Sequence, residues 1–214
     1  MSEEIQILSI TAASIGFFHT LFGPDHYLPF VVMSRSGNWS NLKTVFITFL
    51  CGLGHVMSSV IIGMIGIAFG IAVSKLEGIE SVRGDLAAWA LIAFGLIYMI
   101  WGIKRAAKNK HHSHTHPGKS RSMTPWVLFT VFVLGPCEPL IPILMYPAAQ
   151  NNVVGAFLVA GIFSAATMTT MVVMVMALRF GLISLPLAKM EKYIHAIAGG
   201  TILACGISIK FLGL

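Results

Sequence analysis

The sequence predicts an all-α membrane protein with six transmembrane helices, built as a 3+3 inverted-topology repeat with broken first and fourth helices. Three observations lead there. Of 214 residues, 56% are hydrophobic and only 10% charged, against about 25% charged in soluble domains. Lys, Arg, Asp and Glu are missing altogether from 44–74, 86–103, 139–178 and 193–209. Gly-Pro interrupts apolar sequence at Gly23-Pro24 and again at Gly135-Pro136. Since about 20 apolar residues cross the hydrocarbon core, and Gln150-Asn151-Asn152 divide the third charge-free stretch, six spans result. A soluble enzyme is excluded, and no enzymatic activity is expected.

The expected helices cover 5–32, 45–73, 86–103, 126–146, 153–178 and 194–212. The start, Met1-Ser2-Glu3-Glu4, is acidic and lacks the basic region of a signal peptide, so 5–32 reads as a retained span. The domain division follows: 1–103 as the first repeat, 104–125 as a basic His-rich loop, 126–214 as the second repeat. Cys51, Cys137 and Cys205 all fall in spans, which is no disulfide framework.

Charge sets the orientation. The first, third and fifth connections hold Arg35, Lys43, Lys104, Arg105, Lys108, Lys110, Lys119, Arg121, Arg179, Lys189 and Lys192, while the other side holds Lys75, Arg83 and Lys210. Positive charge favours the cytoplasm, so a multi-pass protein of the cell inner or plasma membrane is expected, its termini outside and its His-rich loop cytoplasmic.

The repeat rests on matched motifs. Gly23-Pro24-Asp25-His26-Tyr27-Leu28-Pro29 aligns with Gly135-Pro136-Cys137-Glu138-Pro139-Leu140-Ile141, Met57-Ser58-Ser59-Val60 with Met168-Thr169-Thr170-Met171, and Phe69-Gly70 with Phe180-Gly181. Gly95 and Gly102 match Gly199 and Gly206. Proline removes a backbone donor and clashes with the preceding turn, so each Gly-Pro implies a kink or an unwound segment. Interrupted helices at corresponding places of two halves point to a transport site.

Polar residues sharpen that expectation. Glu3, Glu4, Glu77, Glu80, Asp85 and Glu191 are assigned to termini or loops, which leaves Asp25 and Glu138 as the intramembrane acids. Each would cost about 2.5–3.5 kcal/mol unless it has a partner or a watery cavity. His19, His26 and His55 are intramembrane too, and the seven-residue spacing of His19 and His26 puts them on one face unless Pro24 skews them. Imidazole, carboxylate and the Cys137 thiol form a ligand set for a borderline divalent metal such as Ni, Co or Zn. The candidate metal residues are therefore His19, Asp25, His26, His55, Cys137 and Glu138. His111, His112, His114 and His116 in the middle loop read as a flexible metal-capturing tract.

The stretch from Phe17 to Phe30, FFHTLFGPDHYLPF, with Gly52 to Ser59, GLGHVMSS, resembles the UreH-like and nickel/cobalt transporter superfamily. LGPCEPLIP, from Leu134 to Pro142, resembles in addition the Gly-Pro-Cys-x-x-Pro element of the cytochrome-biogenesis transmembrane family typified by CcdA and DsbD. Both resemblances imply about six helices with inverted halves. The first implies that His19, Asp25, His26 and His55 line a metal pathway, and that the His-rich loop is like that of nickel/cobalt efflux members. Two departures stand out: five residues, Thr20 to Pro24, separate the first His from the Asp where importers have four, and Cys137-Glu138 is foreign to a nickel permease.

The resulting expectation is a transporter of a divalent Ni- or Co-like ion, with the bilayer and the ion as partners, no nucleic acid and no resident cofactor. Proton coupling through Glu138 and homo-oligomerisation are left open. The alternatives are an exporter of a small anion such as sulfite or of an amino acid, and a transmembrane thiol-disulfide electron carrier. The carrier has one difficulty: Asp25 stands where the first-half partner of Cys137 should be, and Cys51 would have to replace it.

Overall fold

The computed structural model describes residues 3–108, 124–150, 152–183 and 188–212, and every regular element in them is helical. The expected capture tract of His111, His112, His114 and His116 lies outside the described residues. Helix α1, Glu3–Phe22, ends just before Gly23, a 3-10 turn covers Pro24–His26, and α2, Leu28–Ser36, follows. Helix α3 is Asn41–Ala68 and α4 is Val73–Lys108. The second interruption separates α5, Thr124–Leu134, from α6, Leu140–Ala149. Helix α7 is Val153–Ile183, and a 3-10 segment, Ala188–Tyr193, leads into α8, Ile194–Leu212.

Among the described residues, five helices are long and apolar enough to cross a membrane. The expected break of the span 126–146 divides it into two short helices, because Gly135, Pro136 and Pro139 withhold the donors and torsions that continuity would need. Bulky apolar side chains such as Ile97 and Val154, 68% and 79% exposed, cover the outside. Such faces require a lipid bilayer around them.

Local chemistry explains the helix ends. Ser40 caps α3 by accepting from the Lys43 N–H at 3.2 Å. At its other end Gly70 has φ +61°, and Ile71 N–H donates to Gly66 O while Gly70 N–H donates to Ile67 O, a Schellman closure. The matched pair Phe180-Gly181 does not act this way, since α7 runs on through it. The Asn152 side chain accepts from Gly155 N–H at 2.8 Å and starts α7.

Helix α4 corrects the expected third span, 86–103. It begins at Val73 and carries Lys75, Glu77, Glu80, Arg83 and Asp85 as helical residues. Treating charge as a helix boundary failed because Glu80 and Arg83, three residues apart on one face, neutralise each other. Helices α4 and α8 meet at glycines: a Cβ on Gly95, Gly102 or Gly199 would strike the backbone of the partner helix. Small residues allow this close approach, in which dispersion and not water exclusion holds the helices together. Gly16 of α1 likewise rests on Phe163 and Thr167 of α7.

Candidate functional site

The first interruption folds back on itself. Gly23 N–H still donates to His19 O, His26 N–H donates to Gly23 O, and Tyr27 N–H donates to Pro24 O. The turn swings the His26 ring back under the break, so its Nδ1 lies 3.2 Å from both Gly23 O and Asp25 Oδ1. A Cβ on Gly23 would sit 2.5 Å from that nitrogen, so only glycine leaves the ring this place. The His19 and His26 rings meet edge to face with centroids 4.8 Å apart, and His26 and His55 at 5.1 Å. His55 comes from α3 and is held by Phe132 O of α5, 3.2 Å from its Nδ1.

The second interruption is held from outside. Helix α5 stops with carbonyls unpaired and α6 begins with a free donor, as every helix end must. Arg83 of α4 donates to Val133 O at 2.8 Å and Gly135 O at 3.3 Å, and to Ser58 Oγ at 2.6 Å. Glu80, with no exposed surface, forms an ion pair with Arg83 and accepts from Cys137 N–H at 3.0 Å and from the Ser59 hydroxyl at 2.9 Å. Cation at the carbonyl end and anion at the amide end also match the two half-helix dipoles. Gly84 of α4 lets Pro136 seat against the helix, where a Cβ would lie 2.9 Å from the ring.

Both interruptions open on one cavity of about 620 Å³, with Gly23, Asp25 and His26 on one wall and Gly135, Pro136 and Glu138 on another. Of the expected metal residues, the structure joins His19, His26, His55 and Asp25. Glu138 faces the same cavity from the second break but is exposed. Cys137 is buried against Leu140, Phe163 and Val56, with its backbone turned to Glu80. Cys51, Cys137 and Cys205 are all free thiols. Cys51 packs among Phe30, Leu128 and Met171. Cys205 is on α8, the helix that touches the first break. His195 is apart from the cluster, hydrogen-bonded to the Tyr98 hydroxyl at 2.8 Å.

Glu80, Arg83, Ser58 and Ser59 hold the second break, a place the sequence did not assign to them. A signal for them existed. Two adjacent serines in apolar α3 and an acid-base pair at helical spacing, just upstream of a charge-free stretch, are partners for each other.

Over residues 28–208 the sequence matches the family described as the transmembrane region of cytochrome c biogenesis proteins. The chain belongs to this family. No curated protein and no solved structure matches it. Membership overturns the expected place in the UreH-like and nickel/cobalt superfamily, and with it the reading of the chain as a nickel- or cobalt-type transporter. The cause of the error is physical. A His and Asp-His pattern reports the donors of one turn, while the cytochrome c biogenesis match covers 28–208, most of the chain, and includes the second break with Cys137, whose motif pointed there. The alternative of a thiol-disulfide carrier agrees with the family.

Proposed function

We propose that this member of the cytochrome c biogenesis transmembrane family carries reducing equivalents across the bilayer by thiol-disulfide exchange. The observation that carries the reading is the position of Cys137, in the unwound backbone between α5 and α6, at a break that lies inside the family match over 28–208. Irregular backbone at this depth is tolerated where it lines a cavity, and a few torsions there can move the sulfur. Cys205, on the helix that touches the first break, supplies the second thiol in place of the one absent from the first motif. The Cys137 thiolate attacks a disulfide of a protein partner and releases one partner thiol. The Cys205 thiolate then attacks Cys137, frees the second partner thiol and leaves a Cys137–Cys205 disulfide. A dithiol on the other side reduces it by the reverse exchange, so two electrons and two protons pass per cycle.

The cycle requires motion. Pro136 seats at Gly84 of α4 and Gly206 at Ile92, so about 12 Å of helix separates the two levels. Disulfide geometry needs Cα atoms about 4.4–6.8 Å apart. The inverted 3+3 arrangement offers a route: α1 packs on α7 as α5 packs on α3, and α2 on α8 as α6 on α4. In that arrangement α5 and α6 together make the sixth crossing. The charge asymmetry supports termini outside, since with Arg83 engaged in its ion pair the outer side keeps only Lys75 and Lys210 against the eleven inner cations.

The test uses proteoliposomes with an impermeant reductant outside and a disulfide-linked reporter protein trapped inside. Cys137→Ser and Cys205→Ser each abolish reporter reduction, and Cys51→Ser leaves it intact. Activity surviving in Cys137→Ser overturns the carrier. Loss in Cys51→Ser with retention in Cys205→Ser overturns the pairing.

A further inference from the structure

Nε2 of His19, of His26 and of His55 are buried and have no hydrogen-bond partner. Leaving a buried polar atom unpaired costs about 1–3 kcal/mol, so three together call for a common partner. For His26 and His55 the tautomer is set by what lies behind the ring. Nδ1 of His26 faces two acceptors, Gly23 O and the Asp25 carboxylate, and Nδ1 of His55 faces Phe132 O. Each of these nitrogens therefore holds the proton, and Nε2 presents a lone pair. One ring nitrogen of each histidine lies within 4.8 Å of one from each of the others. The lone pairs of His26 and His55 cannot satisfy one another, but a single cation satisfies both and offers His19 Nε2 the same partner.

We propose that His19, His26 and His55 bind one resident transition-metal ion of the borderline class, Zn²⁺ or a neighbour in the series, through Nε2. Asp25 stands behind His26 as the carboxylate that orients the ring and offsets the ion's charge, and Phe132 O does the orienting for His55. Bonds of about 2.0–2.1 Å bring tetrahedral ligand nitrogens to about 3.3 Å apart, so loading draws the rings inward by about an ångström or more. Both Gly-Pro motifs serve the triad, since a Cβ on Gly23 would meet His26 and one on Gly135 would lie 3.1 Å from Nδ1 of His55. His19, Asp25, His26 and His55 all line the cavity, which leaves a fourth coordination position open to water or a small ligand. Cys137 and Glu138 are not ligands in this site, and the ion is held in place, not carried across.

The experiment uses full-length protein purified without a histidine tag, with His111, His112, His114 and His116 replaced by Ser so that the loop contributes nothing. After dialysis against Zn²⁺ or Co²⁺ and desalting, about one equivalent of metal remains, and the Co²⁺ form shows the visible ligand-field bands of a four-coordinate site. His26→Ala and His55→Ala each lose the metal and the bands while keeping helicity and a monodisperse profile. Asp25→Asn binds about 10- to 100-fold more weakly. If the histidine variants fail to fold, the background with Cys51, Cys137 and Cys205 all changed to Ser still decides: it retains the metal and bands free of thiolate charge transfer. That result is also independent of the carrier reading, which the same variant disables. A folded loop-substituted protein that retains no metal overturns the proposal, as does metal that survives replacement of all three histidines.

Discussion

The two interruptions begin with the same dipeptide and are stabilised in opposite ways. At Gly23-Pro24 the broken backbone satisfies itself, through the turn from His19 to Tyr27, and the charged side chain of Asp25 is bonded to its own neighbour His26. At Gly135-Pro136 the freed groups are met by Glu80 and Arg83 from another helix, more than fifty residues away for the Cys137 and Gly135 contacts. A local turn can be formed before the helices assemble. A cap delivered by α4 exists only after α4 has docked, so the second break depends on tertiary packing while the first one supports it.

That contrast can be broken most directly at the ion pair. Removing one partner of a buried pair leaves the other charge uncompensated, so Glu80→Ala or Arg83→Ala should each lower unfolding stability in detergent by about 3–5 kcal/mol. The double variant should lose less than the sum by at least about 1 kcal/mol. Strict additivity would show that the pair does not hold the second break as a unit.

The glycines give a smaller and more discriminating effect. Gly135→Ala crowds the His55 ring and should cost about 1–3 kcal/mol, measured as a lowered Tm. Adding His55→Ala should restore most of the loss, because Nδ1 of that ring is the nearest obstacle at 3.1 Å. Gly23→Ala should be rescued only in part by His26→Ala, since His19 O and Asp25 Oδ1 also stand 3.0 Å from the added carbon. Equal rescue at both sites would erase the distinction between a self-contained and a shared break.

The mildest prediction separates the two acids. Asp25 keeps 22% of its side-chain surface exposed, while Glu80 has none. Asp25→Asn should therefore cost about 1 kcal/mol in stability, the worth of one ordinary hydrogen bond, against the several lost at Glu80. Ser59→Ala should fall in the same small range, because Glu80 still accepts from Cys137 N–H and pairs with Arg83. Should Asp25→Asn unfold the protein, the first break is not self-supporting.

Legibility in the sequence followed the range of the interaction concerned. The membrane class, the α7 and α8 starts at Val153 and Ile194 and the places where the chain must break were readable from apolar runs and from proline, because each depends on a few adjacent residues. His19, His26, His55 and Asp25 could be singled out because polar groups are rare in spans. Their grouping depended on the 3-10 turn at Pro24–His26, which replaces the regular seven-residue spacing by a folded-back ring.

By itself the sequence determined that the chain lives in lipid, that two Gly-Pro motifs interrupt its helices and that imidazoles and a thiol adjoin them. These follow from transfer free energies and torsional limits that act residue by residue. Only the tertiary structure decided that α4 starts thirteen residues before its charge-free stretch, that Glu80 and Arg83 cap the second break, and that His55 joins a triad begun on another helix. The reason is that a buried charge is ruled out or welcomed by its partner, and that partner is brought near by packing, not by proximity along the chain.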